Sequence, residues 1–109
     1  MQKFELIVAV VNTGFTEVVM DAARSHGARG GTVMHVRGTG NKSIEKKYGI
    51  AISPYKEMVY ILVDAKIRDE VLKAIYDAAG LQTNGQGIAF SLPVDNVTGL
   101  KMMEEVENN

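Results

Sequence analysis

Two short segments of the chain are apolar on both alternating sets of residues, apart from one glutamate in each. Residues 4–11 read FELIVAVV and residues 57–63 read EMVYILV. Both runs are too short for a buried helix and rich in β-branched side chains, so they are read as strands. Successive side chains of a strand point to opposite faces. In the first, Phe4, Leu6, Val8 and Val10 oppose Ile7, Ala9 and Val11; in the second, Met58, Tyr60 and Leu62 oppose Val59, Ile61 and Val63. A sheet with one wet face alternates apolar with polar, and these strands do not. Each large side chain is worth roughly 1.5–3 kcal/mol when buried. A bare second face would be an unusually large apolar patch. Both faces are therefore expected to be covered, one by helices and the other by self-association.

The remaining elements fit around this pair. Phe15, Val18, Val19, Ala22 and Ala23 recur at helical spacing after the turn Asn12-Thr13-Gly14, and Gly27 follows as a cap. Residues 32–37 (TVMHVR) form a second strand. Asp64 is an expected N-cap for a second helix, on the stripe Ile67, Val71, Ala74, Ile75 and Ala78, which ends at Gly80. Residues 88–94 (IAFSLPV) form a last strand, with Pro93 suited to a sheet edge. Asp21-Ala22-Ala23 recurs as Asp77-Ala78-Ala79 at the same place in each helix. The order β-α-β, long loop, β-α-β is the α+β, ferredoxin-like βαββαβ pattern: a four-stranded antiparallel sheet with two helices on one face.

Composition narrows the function classes. A chain of 109 residues fits one domain over 1–109. Its net charge of −1 offers no basic field for nucleic acid or an anionic membrane, and its 6% aromatic content no stacking platform for RNA. It has no cysteine, so no disulfide, thiolate nucleophile or cysteine metal site is available, in keeping with a cytoplasmic setting. The N-terminus lacks a signal-peptide pattern, and no apolar run approaches the roughly 18 residues of a membrane span, so direct membrane insertion is not expected.

The connection over 38–56 (GTGNKSIEKKYGIAISPYK) is longer than compact domains normally need and reads as a functional mobile loop. Its alternative is a β-hairpin extension with a strand over 48–52. Lys42, Lys46, Lys47, Tyr48 and Tyr55 give it the composition of a partner-docking element. Gly38-Thr39-Gly40-Asn41-Lys42-Ser43 falls short of a phosphate-binding P-loop, because Asn41 stands where glycine must precede the lysine and no helix stripe follows. Gly38 and Gly40 could still form an anion nest. Residues 80–87 form a second glycine-rich loop, read either as a helix cap and turn or as another wall of an anion site through Gly85 and Gly87. His26 and His35 have no metal-ligand companions at a familiar spacing, and no catalytic triad or carboxylate pair is evident, so neither a metal site nor an enzyme is expected.

The run from Gly27 to Gly40 (GARGGTVMHVRGTG) resembles the Gly-x-x-Gly-x-Thr-Val…Val-Lys-Gly-x-Gly stretch of the P-II nitrogen regulatory proteins, and Gly85-Gln86-Gly87 resembles their Gly-Asp-Gly. The resemblance implies a homotrimer with ligand clefts between subunits. ATP, ADP or AMP would lie against Thr32, Gly38, Thr39, Gly40, Gly85, Gln86 and Gly87. A T-loop over about 38–56, a B-loop over about 81–87 and a C-terminal tail over 100–109 follow from the same comparison. The T-loop would dock on a partner, such as a membrane transporter or a metabolic enzyme of nitrogen-related metabolism, and no substrate chemistry is implied. Ile88 replaces a basic residue of the family, and residues 93–99 (PVDNVTG) lack its two arginines. The glutamine that serves Mg²⁺ and 2-oxoglutarate has no counterpart, so Mg²⁺ is a doubtful cofactor. The alternatives are another ferredoxin-like ligand-binding regulatory module, or a small α+β-barrel enzyme.

Overall fold

A computed structural model of the chain describes residues 3–39, 42–49, 53–82 and 86–99. The elements run β1 (Phe4–Asn12), α1 (Thr16–Ser25), β2 (Thr32–Arg37), α2 (Lys42–Tyr48), β3 (Tyr55–Asp64), a 3₁₀ turn (Ala65–Ile67), α3 (Arg68–Ala78) and β4 (Gly87–Val94). The four strands form one antiparallel sheet in the order β2-β3-β1-β4, as the ferredoxin-like reading expects. The two doubly apolar strands are thus the central pair.

Helices α1 and α3 lie on one face. There Ile7, Ala9 and Val11 of β1 and Val59, Ile61 and Val63 of β3 are buried together with Val19, Ala23, Val71 and Ile75. The helix stripes differ by single residues from the periodicity: Val18 and Ala78 turn outward, and Ala79 takes the buried place. Asp64 caps as expected, but it caps the 3₁₀ turn, accepting from the Lys66 N–H at 2.8 Å. Pro93 lies on β4, an edge strand.

Among the described residues, no helix packs on the opposite face. The ladder puts Leu62, Leu6 and Leu92 in one row, Tyr60, Val8 and Phe90 in the next, and Met58, Val10 and Ile88 in the third. Val8 is only 4% exposed because Tyr60 and Phe90 flank it, whereas Ile88, Phe90 and Leu92 are 60%, 42% and 48% exposed. The apolar second face inferred from the strand pattern is therefore present, and it is left uncovered by the described residues.

Within the 38–56 connection, the structure differs from the hairpin alternative at Tyr48. The connection contains α2, and Tyr48, the expected start of a hairpin strand, is its last helical residue; residues 50–52 lie outside the described part. β3 also begins two residues earlier than expected, at Tyr55. A helix does follow Gly38-Thr39, so the lack of one is no argument against a P-loop; the missing glycine before Lys42 still is. α2 shows no apolar stripe in the sequence because it buries no residue. Its charge order suits a helix instead, with Glu45 in the first turn and Lys46 and Lys47 in the last.

One polar group is built into the helix-covered face. Glu57 follows the core side of β3 and is 9% exposed. Its carboxylate accepts from the Gly14 N–H at 2.8 Å, where α1 begins without a side-chain cap of its own. That hydrogen bond is the main cause holding the Glu57 pKa below its ordinary value of 4.5. A depressed carboxylate pKa adds stability above the unfolded-state value, and this is lost as pH falls through the folded value. Glu57→Gln should therefore be less stable than the natural chain at neutral pH. The gap in denaturant midpoint should narrow as pH is lowered below about 4.5. A gap that stays constant down to pH 3 would show that the charge contributes nothing.

Candidate functional site

The sequence-nominated residues fall at the two ends of β2. At its start, Gly30, Gly31 and Thr32 border a cavity of about 480 Å³ on the uncovered sheet face. Its remaining lining is apolar: Leu6, Tyr60, Leu62, Val94 and Val97. Gly31 is demanded by packing, since a Cβ there would lie 2.9 Å from Met20 Sδ and 3.0 Å from the Tyr60 carbonyl oxygen. The close approach draws the chain against β3 and leaves the Thr32 side chain exposed at the rim. A threonine hydroxyl and main-chain groups beside apolar walls suit a flat, largely apolar ligand oriented by a few polar contacts.

Of the other nominated ligand residues, Gly38, Thr39, Gln86 and Gly87 are described, and they lie toward the far end of β2. Six residue steps separate Thr32 from Gly38, about 20 Å at the usual strand rise. Gly38 does not offer a free N–H, because it donates to the Pro54 carbonyl at 2.7 Å and closes the neck of the 38–56 segment. Thr39 is exposed, and Gly40 and Gly85 lie outside the described residues. Gly87 opens β4 opposite Val11 with φ +138°, and a Cβ there would sit 2.2 Å from the Val10 carbonyl oxygen. Its glycine identity is thus explained by strand packing. Beside it, the Gln86 Oε1 is buried without a hydrogen-bond partner among the described residues. A single chain therefore does not bring Thr32 together with Gly38 and Gly87.

This same end carries a network that the sequence reading missed. The turn between β1 and α1 is tied to the start of β3 by three contacts. Lys56 Nζ donates to Asn12 Oδ1, the Thr13 hydroxyl donates to the Tyr55 carbonyl at 3.3 Å, and the Gly14 N–H donates to Glu57. His35 Nδ1 lies 3.8 Å from the Glu57 carboxylate. The available signal was a carboxylate inside an otherwise apolar strand. Above this end, α2 carries Lys42, Lys46, Lys47 and Tyr48 on its exposed surface, with Lys47 Nζ 5.6 Å from the Tyr48 ring centre. Tyr55 is 64% exposed at the foot of the segment.

Fold and cavity define a ferredoxin-like α+β domain with a ligand-sized hollow at the start of its second strand. The chain belongs to the P-II family: the model of "Nitrogen regulatory protein P-II" matches residues 4–104. Among solved structures, it is similar to Arabidopsis thaliana PII bound to citrate, at 26% identity and a TM-score of 0.69, over 91% of this chain and 84% of that one. No curated protein matches it. The family places the chain among signalling proteins. Among the described residues, no helix is long and apolar enough to cross a membrane.

The two glycine environments predict opposite outcomes. Gly87→Ala forces a side chain against backbone at a strained φ and should cost roughly 2–5 kcal/mol. Gly38→Ala meets nothing closer than 3.7 Å and should stay within about 0.5 kcal/mol of the natural chain. Chemical denaturation of both variants checks the contrast, and equal losses would refute it.

Proposed function

We propose that the chain acts as a homotrimeric signalling protein that senses an adenine nucleotide, ATP, ADP or AMP, in clefts between subunits. The observation that carries this reading is the position of the Thr32 cavity on the uncovered apolar face, about 20 Å from Gly38 in the same chain. A ligand spanning both ends needs a second copy, and the same apolar face favours that copy. The apolar walls suit a purine, and Thr32 can orient its edge. The phosphates would then approach Thr39, Gly40, Gly85 and Gln86 through the N–H and O–H donors there, with Gly87 fixing the start of β4. Citrate in the Arabidopsis relative is a precedent for an anionic guest. With Ile88 in place of a basic residue, ATP should bind more weakly than to family members that retain one.

The output element is the 38–56 segment. A phosphate oxygen competing for the Gly38 N–H would weaken the bond to Pro54 that closes its neck. A ligand shifts a conformational equilibrium only through such differential contacts. Lys42, Lys46, Lys47, Tyr48 and Tyr55 would meet the regulated partner, a membrane transporter or a metabolic enzyme of nitrogen-related metabolism in the cytoplasm. These roles amount to binding and signalling without substrate chemistry.

Light scattering coupled to size exclusion should give about three times the 11.9 kDa chain mass. Calorimetry with ATP, ADP and AMP, with and without Mg²⁺, should show binding that Thr32→Val weakens several-fold and Mg²⁺ barely changes. A monomer at micromolar concentration, or no heat with any of the three, would sink this reading.

A further inference from the structure

A second, smaller hollow of about 180 Å³ lies behind the Leu62 wall of the Thr32 cavity. It is lined by Gly27, Arg29, Asp64, Lys66 and Ile67 as well as Leu62. Neither the Arg29 guanidinium nor the Lys66 ammonium has an ionic partner among the described residues. The Asp64 carboxylate in the same lining accepts from the Lys66 backbone N–H, and its single negative charge leaves the two cations in excess. Lys3 adds a third cation at this end, its carbonyl accepting from the Ala65 N–H at 2.9 Å.

The charge missing here stands in residues 100–109, which follow the last described residue. Residues 1–99 hold eleven Lys and Arg against ten Asp and Glu, a balance of +1. Residues 100–109 (LKMMEEVENN) hold one lysine and the glutamates 104, 105 and 107, a balance of −2. The described chain also delivers this segment to the right place. Val97 lines the Thr32 cavity, which shares Leu62 with the basic hollow. From Val97, the seven residues to Glu104 span up to about 25 Å when extended. The lysines of α2 lie beyond the far end of β2, a further strand length away.

We infer that the acidic segment around Glu104–Glu107 docks in cis on the basic hollow formed by Arg29 and Lys66. Tethering makes the encounter intramolecular, so weak exposed ion pairs act at a high effective concentration. The docked carboxylates then lie one side chain from the Thr32 cavity and oppose an anionic guest there. The docking itself holds whatever ligand that cavity takes.

The chain has no cysteine, so Asn108→Cys carries a nitroxide label at one defined site. In low salt, the label should strip intensity from the amides of residues 27–31 and 64–67 while leaving those around Arg37 and Tyr55 intact. Arg29→Glu with Lys66→Glu should abolish the effect, as should Glu104→Gln, Glu105→Gln and Glu107→Gln together, a variant that leaves the folded body untouched. Salt near 1 M, with a screening length of about 3 Å, should also release the tail. The proposal is overturned if the broadening is absent at low salt or survives both sets of substitutions. It is equally overturned if, in a mixture of labelled and isotope-enriched copies, the whole effect passes between chains. Inorganic phosphate shifting these amides while the tail label leaves them unchanged would assign the hollow to a free anion and also refute tail docking.

Discussion

The pairing of β1 with β3 is the constraint on which the rest of the molecule depends. These central strands present apolar side chains to both faces, so the sheet cannot be finished by its own helices. One face is closed by α1 and α3 over Ile7, Val11, Ile61 and Val63. The other keeps Tyr60, Phe90, Leu92 and Ile88 partly in water. Val8 shows how the second face is organised: its neighbours across the ladder bury it almost completely before any other chain arrives. A surface already ordered in this way loses little side-chain entropy on association. The same face holds the Thr32 cavity, so covering the sheet and completing a ligand site become one event in the proposed trimer.

Glu57 links this framework to the segment above it. A buried carboxylate is tolerated only where hydrogen bonds replace its lost hydration. Here the Gly14 N–H does so, at the uncapped start of α1. The residue before it, Lys56, bonds Asn12, and the one before that, Tyr55, accepts from Thr13. Three consecutive residues at the foot of the 38–56 segment are therefore fastened to the β1–α1 turn. The movement proposed for the 38–56 segment would therefore arise above this anchorage, between Gly38 and Pro54, rather than from the sheet.

The fold was legible because its signal is repeated. Strand alternation, two helical stripes and the glycine caps all agree on one topology. The four-stranded antiparallel sheet and the apolar second face followed from residues that anyone could count. What escaped had no periodic trace. α2 is a helix with no apolar stripe, held by local propensity and charge order, so a search for buried periodicity passes over it. The cavity around Thr32 also escaped, because Leu6, Leu62 and Val94 come together only through ladder register and the return of the chain after β4. Glu57 could have been found as the charged exception within an apolar strand, but its partner Gly14 lies 43 residues away.

The glycines carry the sharpest lesson about reading a site from sequence. A glycine-rich loop suggests backbone exposed to a ligand, yet absence of a side chain has two physical uses. At Gly31 and Gly87 the space a Cβ would fill already belongs to the Tyr60 and Val10 carbonyls. Those positions require glycine even if no ligand ever binds. At Gly38 a Cβ would make only ordinary contacts, the nearest with Lys56 Cγ at 3.7 Å, and φ is ordinary, so packing does not explain the residue. Its N–H is engaged, however, in the bond that closes the neck of the segment. Packing therefore leaves Gly38, of these three, as the position where glycine identity has to be explained by something beyond the fold. An alanine there would keep the N–H and the neck but place a methyl group where a phosphate oxygen would have to approach. A structurally silent Gly38→Ala that also weakens nucleotide binding would separate the ligand's demand for glycine from the fold's.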